Sequence, residues 1–377
     1  MGIRMLNKFL QDKCKDSITR INLSDLAGKK IAVDISVYLY KFLSENALLE
    51  NLYLMISIFR EHNITPIFVF DGKPPVEKND TIASRKKTKT TAREEYYRLK
   101  QILETIETDA EETATDDDNS GIENSSTTAT AATTIVEFDE DTTIHIPSTT
   151  ADIRTMMEKL KKKFVILKHE HIQNAKMLLQ AYGMTYIESP GEADMLCAKL
   201  VSKNMVYACL SEDTDMFVYG CKRVLRYLSL SSWSAILYDF QEIINTLDMT
   251  TYEFRQLCIM FGCDYLPKKE NGNYKNTTIF ASYKMFKNYK EYLKNIINDT
   301  GSDDNNPDFY EWLLSIDKNS ETEMTHYINE ALKIIDLFDI SSYNGLELYD
   351  NIKIMNGPVD YDRLIEVMTK ENFIFIT

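Results

Sequence analysis

Thr65-Pro-Ile-Phe-Val-Phe-Asp71 is apolar for most of its length and stops at a carboxylate. A short run of apolar, β-branched and aromatic residues that ends at a Gly-Lys-Pro-Pro turn signal reads as a buried strand. The pattern recurs. Lys30-Ile-Ala-Val ends at Asp34, Met184-Thr-Tyr-Ile precedes Glu192 and Asp194, and Met205-Val-Tyr-Ala-Cys-Leu precedes Asp213 and Asp215. In an open α/β sheet the carboxyl ends of parallel strands share one edge, and ligands sit in the crevice there. Four segments far apart in sequence therefore aim carboxylates at one place. A seventh acid, Asp264, stands two residues after Gly262, at the end of a stretch from Thr251 with apolar residues at helical spacing. Crowded like charges repel unless something cationic sits among them, and Mg²⁺ is a usual partner of carboxylate oxygens. The expected fold class is α/β, with a central, mostly parallel sheet and a metal site at its acidic edge.

Several of these acids also have a structural reading. Asp34 and Asp71 alone would suit helix N-caps or turns. Ser189-Pro-Gly-Glu192 has the form of a capping box. Asp194, two residues on, has no such role, and carboxylates at i and i+2 in a first helical turn can lean toward a cation at the helix start. Asp213 and Asp215 repeat that spacing, with Glu212 and Thr214 expected to point away from their shared side. Asp264 could decorate a helix end, although an acid is disfavoured at the negative end of the helix dipole. The joint occurrence of all seven is what favours metal ligation.

The 377-residue chain can bury a large core, and its 44% hydrophobic and 27% charged content is that of an ordinary globular protein. No apolar run approaches the roughly 20 residues of a membrane span, and charges stand where a signal peptide would be apolar. An intracellular protein, nuclear or cytoplasmic, is expected. The six cysteines, Cys14, Cys197, Cys209, Cys221, Cys258 and Cys263, are scattered and without a CxxC pair, which reads as buried reduced thiols.

The net charge of -15 first argues against nucleic acid. It is concentrated: Glu104 to Thr150 holds 13 acids and no Lys or Arg, so the remainder carries only -2, and seven of its acids belong to the proposed metal site. This Thr-, Ser-, Ala- and acid-rich stretch cannot bury enough apolar surface to order itself and is expected to be a disordered insert. A solvated spacer and an autoinhibitory tract occupying a basic channel both stay open. Ile82 to Ile106 before it and Ile153 to Tyr182 after it read as basic helical arms, the second carrying Lys159, Lys161, Lys162, Lys163 and Lys168. From Phe240 onward the pattern is mainly helical.

Several of these segments together resemble the flap endonucleases and XPG-type structure-specific nucleases. They are Met1-Gly-Ile, Ile31-Ala-Val-Asp34-Ile-Ser-Val-Tyr-Leu-Tyr40, Pro66-Ile-Phe-Val-Phe-Asp71-Gly-Lys-Pro-Pro, Pro190-Gly-Glu192-Ala-Asp194, Glu212-Asp213-Thr-Asp215 and Leu257-Cys-Ile-Met-Phe-Gly-Cys-Asp264-Tyr. The motifs follow the family's order and spacing to about residue 287, apart from the insert and some loops. The resemblance implies a PIN-like 5′ nuclease fold with a helical arch and a helical C-terminal region. It also implies a Mg²⁺-dependent enzyme, with Mn²⁺ able to substitute, that cuts DNA near a single-strand/double-strand junction, releasing a 5′ flap or trimming a 5′ end. Asp34, Asp71, Glu192, Asp194, Asp213, Asp215 and Asp264 would hold two ions about 4 Å apart. Lys78 and Arg85, seven residues or two helical turns apart, match cations over the scissile phosphate. Tyr40 matches a base-stacking aromatic, with a core tyrosine as its other reading, and Gly2 a terminus near the DNA. Lys268, Lys269 and Lys275 fall at the family's duplex grip, and Lys86, Lys87 and Lys168 extend the basic surface.

The implied organisation is a nuclease half over 1–103, the acidic insert over 104–152, a second nuclease half over 153–240, a helix-two-turn-helix-like region over 241–290 and a helical region over 291–377. Departures stand beside the match. The glycine turn of the duplex grip is reduced to Lys268-Lys-Glu-Asn-Gly272-Asn-Tyr-Lys275, which argues against a potassium-mediated phosphate contact, and Ala47 and Met55 stand near places where the family uses bases. The C-terminus carries no sliding-clamp motif, and a monomer acting on branched or flapped DNA is expected. A divergent viral member working in a viral factory would fit. A PIN-type ribonuclease and a catalytically silent junction-binding scaffold remain as rivals.

Overall fold

The computed structural model describes residues 2–115, 149–266, 278–300, 306–316, 323–341, 346–370 and 373. The described chain divides into two compact units, one of Met1–Phe42, Asn46–Thr81 and Leu167–Thr377, the other of Leu43–Glu45 and Ile82–Ile166.

In the first unit seven strands form one sheet: β1 (Ile18–Asn22), β2 (Lys30–Asp34), β3 (Thr65–Phe70), β4 (Thr185–Glu188), β5 (Ala208–Leu210), β6 (Arg223–Ser229) and β7 (Ser234–Asp239), in the order β1-β7-β6-β5-β2-β3-β4. The five strands from β6 to β4 are mutually parallel, and β7 pairs antiparallel with both β6 and β1. The expected strands β2 to β5 are present. The sequence reading missed β1 and β6, whose Arg, Ser and Thr residues interrupt the apolar pattern, and also β7, although its Ala235-Ile-Leu-Tyr238 run is apolar.

Parity along the strands builds two cores. Ala32, Ile67, Val69 and Cys209 face one core, and Ile31, Val33, Phe68, Ala208 and Leu210 face the other. Both faces are covered, which is why the parallel strands read as continuous apolar runs. The first core packs under α1 (Leu6–Lys13) and is joined by residues of four helices introduced below. The second packs under α2 (Ile35–Ser44) and α3 (Leu48–Glu61). All six cysteines are buried and free.

Between β3 and β4 come α4 (Asn79–Thr115), α5 (Thr150–Lys163) and α6 (His169–Ala181). Next in sequence are α7 (Ala193–Ser202), α8 (Asp215–Val218), α9 (Phe240–Leu247) and α10 (Thr251–Phe261), the four that join the first core. The final helices are α11 (Ile279–Thr300), α12 (Phe309–Ile316), α13 (Glu323–Ile335) and α14 (Tyr361–Thr369). Residues of α11, α12 and α13 extend the first core, and Leu364, Val367 and Met368 of α14 join the second.

The second unit is held by a small apolar seam of Ala92, Leu99 and Leu103 from α4 against Ile153 and Leu160 from α5. Arg154 pairs with Glu107 at 2.7 Å along the same two helices. Helix α4 runs to Thr115, beyond the boundary at 103, so the helical arm extends into the stretch expected to be disordered. Residues 116–148 of that insert lie outside the described residues.

Candidate active site

The alternation of a strand carries past its end, because residues two apart share a face. Asp34 therefore lies on the side of Ala32, Asp71 on the side of Val69, and Ser211 on the side of Cys209. All three continue the face of the first core, the one that α7 covers. The chain runs from β2 outward to β3 and β4 and then returns to β5 on the other flank of β2, which makes the β2/β5 junction the switch point of the sheet. Asp34 and Ser211 meet there: Ser211 Oγ donates to Asp34 Oδ2 at 2.9 Å, and the Ser36 amide donates to Oδ1 at 3.2 Å.

The loop after β5 is tied to the same point. Ser211 Oγ accepts from the Asp213 amide at 3.1 Å, and Asp213 Oδ1 accepts from the Asp215 amide at 3.1 Å. Glu212 turns away as expected. Its Oε1 accepts from the Tyr227 amide at 2.6 Å, and its carboxylate pairs with Arg226 at 3.8 Å. Thr214 does not turn away, which corrects the expectation: a β carbon on Gly2 would meet its Oγ1 at 2.6 Å beside both carboxylates, and its hydroxyl donates to the Ile3 carbonyl at 3.3 Å. That contact brings the N-terminal residues onto the acidic loop, and Gly2, at φ 76°, sits directly against it.

The capping-box expectation for Glu192 is corrected. Helix α7 begins at Ala193, and Glu192 is its N-cap residue without a side-chain capping bond. The cap comes from another strand: Asp71 Oδ1 accepts from the Ala193 amide at 2.9 Å. Ser189 instead donates to the Glu192 carbonyl at 2.9 Å. Gly72 lets the two segments meet, since its amide donates to the Gly191 carbonyl at 2.7 Å and a β carbon there would lie 2.0 Å from the Ser189 carbonyl. Glu192 is thereby free to bind Lys78 through Oε1 and the Tyr265 hydroxyl through Oε2. The Tyr219 hydroxyl stands 3.1 Å behind that of Tyr265, and Thr81 Oγ1 donates to the Asp264 carbonyl at 2.6 Å.

The electrostatics tie the seven acids into one set. Asp34, Asp213 and Asp215 are only 4%, 7% and 2% exposed. Burial raises the pKa of Asp34 to about 7, with Asp71 and Asp213 adding to the rise and the Ser211 hydrogen bond opposing it. Asp194 is raised well above the carboxylate range by burial, then by Asp34, Asp213, Asp71 and Asp215. Asp215 is raised by burial, then by Asp213 and Asp264, with Lys78 opposing. For Lys78 the largest effect is burial, which lowers its pKa, but the attraction of Glu192, Asp194 and Asp215 outweighs it, so the ammonium is held charged.

Carboxylate oxygen is the donor class that hard divalent cations take. The donor set consists of carboxylate oxygens, and Asp194 Oδ1 and Asp215 Oδ1 are buried without a hydrogen-bond partner, which is costly for an ionised group. Among the described residues no group of three or more His, Cys, Asp or Glu side chains closes on one point as a ready-made ion cage. Lys78 reaches into the cluster instead.

Comparison with known proteins shows the family. Residues 1–92 match the XPG N-terminal domain and residues 183–264 the XPG I-region. The chain is 30% identical over 303 residues to flap endonuclease 1 of Glossina morsitans morsitans, covering 75% of this chain and 66% of that protein. The chain belongs to the flap endonuclease and XPG family. A probable RAD2-like endonuclease of invertebrate iridescent virus 6 is 27% identical over 315 residues, covering 76% of this chain and 71% of the relative. The chain thus spans about two thirds of the curated relatives it matches. In fold, this XPG-family chain is similar to the catalytic core of Rad2 solved in complex with a DNA substrate, at a TM-score of 0.59 and 19% identity, covering 98% of this chain and 95% of that one.

Other expected site residues of the XPG-family chain are placed as follows. Lys78 closes a 3₁₀ turn (Val76–Lys78) set up by Pro75, and α4 starts only at Asn79, so its spacing to Arg85 is not two regular α-helical turns. Arg85, Lys86 and Lys87 are exposed on α4, in the second unit. Tyr40 is 41% exposed on α2, which corrects its reading as a core tyrosine. Lys168 is exposed at the start of α6. Lys268, Lys269 and Lys275 lie outside the described residues. Sequence reasoning gave no role to Ser211, Gly72, Tyr219 or Tyr265. Strand parity could have found Ser211, whereas the tyrosine pair shows only once α8 and α10 are folded. Among the described residues no helix is long and apolar enough to cross a membrane.

Proposed function

We propose that this chain is a structure-specific 5′ nuclease that hydrolyses a DNA phosphodiester beside a single-strand/double-strand junction, in replication, repair or recombination. The observation that carries the reading is the hydrogen-bonded gathering at one sheet edge of acids from the ends of β2, β3 and β5 and the starts of α7 and α8, with Lys78 bound to Glu192 among them. Asp34, Asp71, Glu192, Asp194, Asp213, Asp215 and Asp264 would hold a pair of Mg²⁺ ions, with Mn²⁺ as a substitute. Bound there, the pair supplies an activated water and neutralises charge on the phosphoryl oxygens.

The chain's own groups do the rest. Ser36 and Ser211 orient Asp34, the Asp213 carboxylate is set by the Asp215 amide, and Asp71 is aimed by the α7 terminus. Lys78 and Arg85 supply cations for the non-bridging oxygens. Tyr40 offers a ring for base stacking, Gly2 lies at the reacting edge, and Lys86, Lys87, Lys168, Lys268, Lys269 and Lys275 bind the phosphate backbone. The substrate is branched or flapped DNA, and the protein acts as a monomer.

The test is one assay of labelled 5′ flap, nicked, bubble and 5′-recessed DNA, with a matched RNA flap, in Mg²⁺ and in EDTA. Cleavage of at least one DNA structure that needs metal and exceeds cleavage of the RNA is expected. Absence of metal-dependent turnover on every DNA would overturn the assignment.

A further inference from the structure

Both carboxylate oxygens of Glu192 are engaged, one by the Lys78 ammonium and the other by the Tyr265 hydroxyl. Lys78 is only 7% exposed, and its Nζ lies 5.5 Å from the centre of the Tyr265 ring. The same ammonium is felt by Asp194 and Asp215, the two acids with an unpartnered buried oxygen. A tethered cation therefore stands inside the acid cluster, where like charges repel strongly at short range.

We infer that Lys78 is a built-in competitor of the divalent cations: its ammonium holds Glu192 in the metal-free protein, must leave it for metal to be bound, and is thereby freed for the phosphodiester. The inference rests on the metal reading above. Lysine suits the task, because a compact, strongly hydrated ammonium on a flexible stem can depart, whereas a guanidinium fork would stay bidentate. The base of the side chain is fixed, since the Lys78 amide donates to the Pro75 carbonyl at 3.2 Å in the short 3₁₀ turn. Movement is thus confined to the stem. By linkage, the factor by which Lys78 weakens metal binding equals the factor by which metal weakens the hold on Lys78. The metal-free protein is spared a bare cluster of acids, and metal entry and lysine release become one event.

The experiment measures Mn²⁺ binding to the full chain without DNA, by calorimetry and by the spin-resonance signal of free Mn²⁺. Lys78→Met, which keeps the stem and removes the charge, is expected to bind Mn²⁺ about tenfold more tightly than wild type, within the usual range of such couplings. Lys78→Arg is expected to bind no more tightly than wild type. In wild type itself, which needs no variant to fold, Lys78 is expected to react several-fold faster with an amine-acylating reagent once Ca²⁺ is added, read by mass spectrometry. Unchanged or weaker Mn²⁺ binding by a folded Lys78→Met, or Lys78 labelling indifferent to Ca²⁺ under conditions where the metal binds, overturns the competition. A folded wild type that binds no Mn²⁺ overturns the metal reading itself.

Discussion

A β carbon on Gly2 would lie 2.2 Å from Asp213 Oδ1 and 2.6 Å from Asp215 Oδ1. Gly2 also has φ 76°, a conformation that costs an L-residue about 1–2 kcal/mol. Two independent constraints thus demand glycine beside the acidic loop. Gly2→Ala should push both carboxylates off their positions, lowering the single-turnover cleavage rate by roughly tenfold to a hundredfold, the scale of an ångström misplacement. Flap affinity should change little. A rate within twofold of wild type would mean that the terminus is not part of the site.

Asp71 has two roles that substitution can separate. It caps α7 through the Ala193 amide, and its charge contributes to the raised pKa of Asp34 and Asp194. Asn keeps an acceptor oxygen and caps as well as Asp, whereas Ala removes the cap at a cost of about 1 kcal/mol. Asp71→Asn should retain wild-type stability in denaturant titrations yet lose cleavage. Asp71→Ala should lose both, and Asp213→Asn should also abolish cleavage, with flap binding kept within about tenfold. Normal cleavage by any of these would remove that carboxylate from the metal set.

Much of this was legible in the sequence because a parallel strand buried on both faces leaves a strong local signature, an apolar run broken by an acid. β2, β3 and β5 carried it, and β4, an edge strand that is only half-buried, carried it more weakly. β6 did not, since its Arg226 is buried through pairing with Glu212 and Asn7 rather than by being apolar, whereas the Ala235-Ile-Leu-Tyr238 run of β7, ending at Asp239, did carry it and went unread. The seven acids were likewise visible through their places after strands and helices. What supports them was hidden: the Asp71 cap on α7 joins residues 122 apart, and the Ser211 bond to Asp34 joins residues 177 apart. Periodicity reports which face a residue shares, and says little of which distant side chain it will touch.

Asp34, Asp194 and Asp215 bind protons more tightly in the folded chain than in the unfolded one, first because they are buried. A carboxyl raised from its ordinary 3.8 stabilises the fold most at low pH, and that contribution is lost as pH rises, for Asp34 through about 7. The metal-free protein should therefore melt several degrees lower at pH 8 than at pH 6. On the proposed metal reading Mg²⁺ would bind the ionised acids, so its stabilising shift should be larger at pH 8. Melting in EDTA and in Mg²⁺ at both values checks this. A Mg²⁺ shift that is equal at the two values, or larger at pH 6, would disconnect these carboxyls from the metal.

Arg226 lies between the rings of Tyr227 and Tyr238, with Nη1 donating to Asn7 Oδ1 at 2.7 Å and Nη2 to the Glu212 carbonyl at 2.8 Å. Glu212 returns the support, because its Oε1 accepts the amide of Tyr227, a bulky residue held at φ 55°. The pair therefore braces α1, the β6 bulge and the loop that carries Asp213. Glu212→Gln keeps the acceptor for the Tyr227 amide, loses only the 3.8 Å charge contact with Arg226 and should cost less stability than Glu212→Ala. Glu212→Ala leaves that amide without its acceptor and the buried guanidinium without its counter-charge, although the guanidinium bonds to Asn7 and to the backbone carbonyl of residue 212 remain, and should cost about 1–3 kcal/mol. Cleavage by Glu212→Ala should fall mainly in kcat, as Asp213 loses its fixed approach while the DNA-binding surface is untouched. Equal stability of the two variants would show that the brace does not hold the loop.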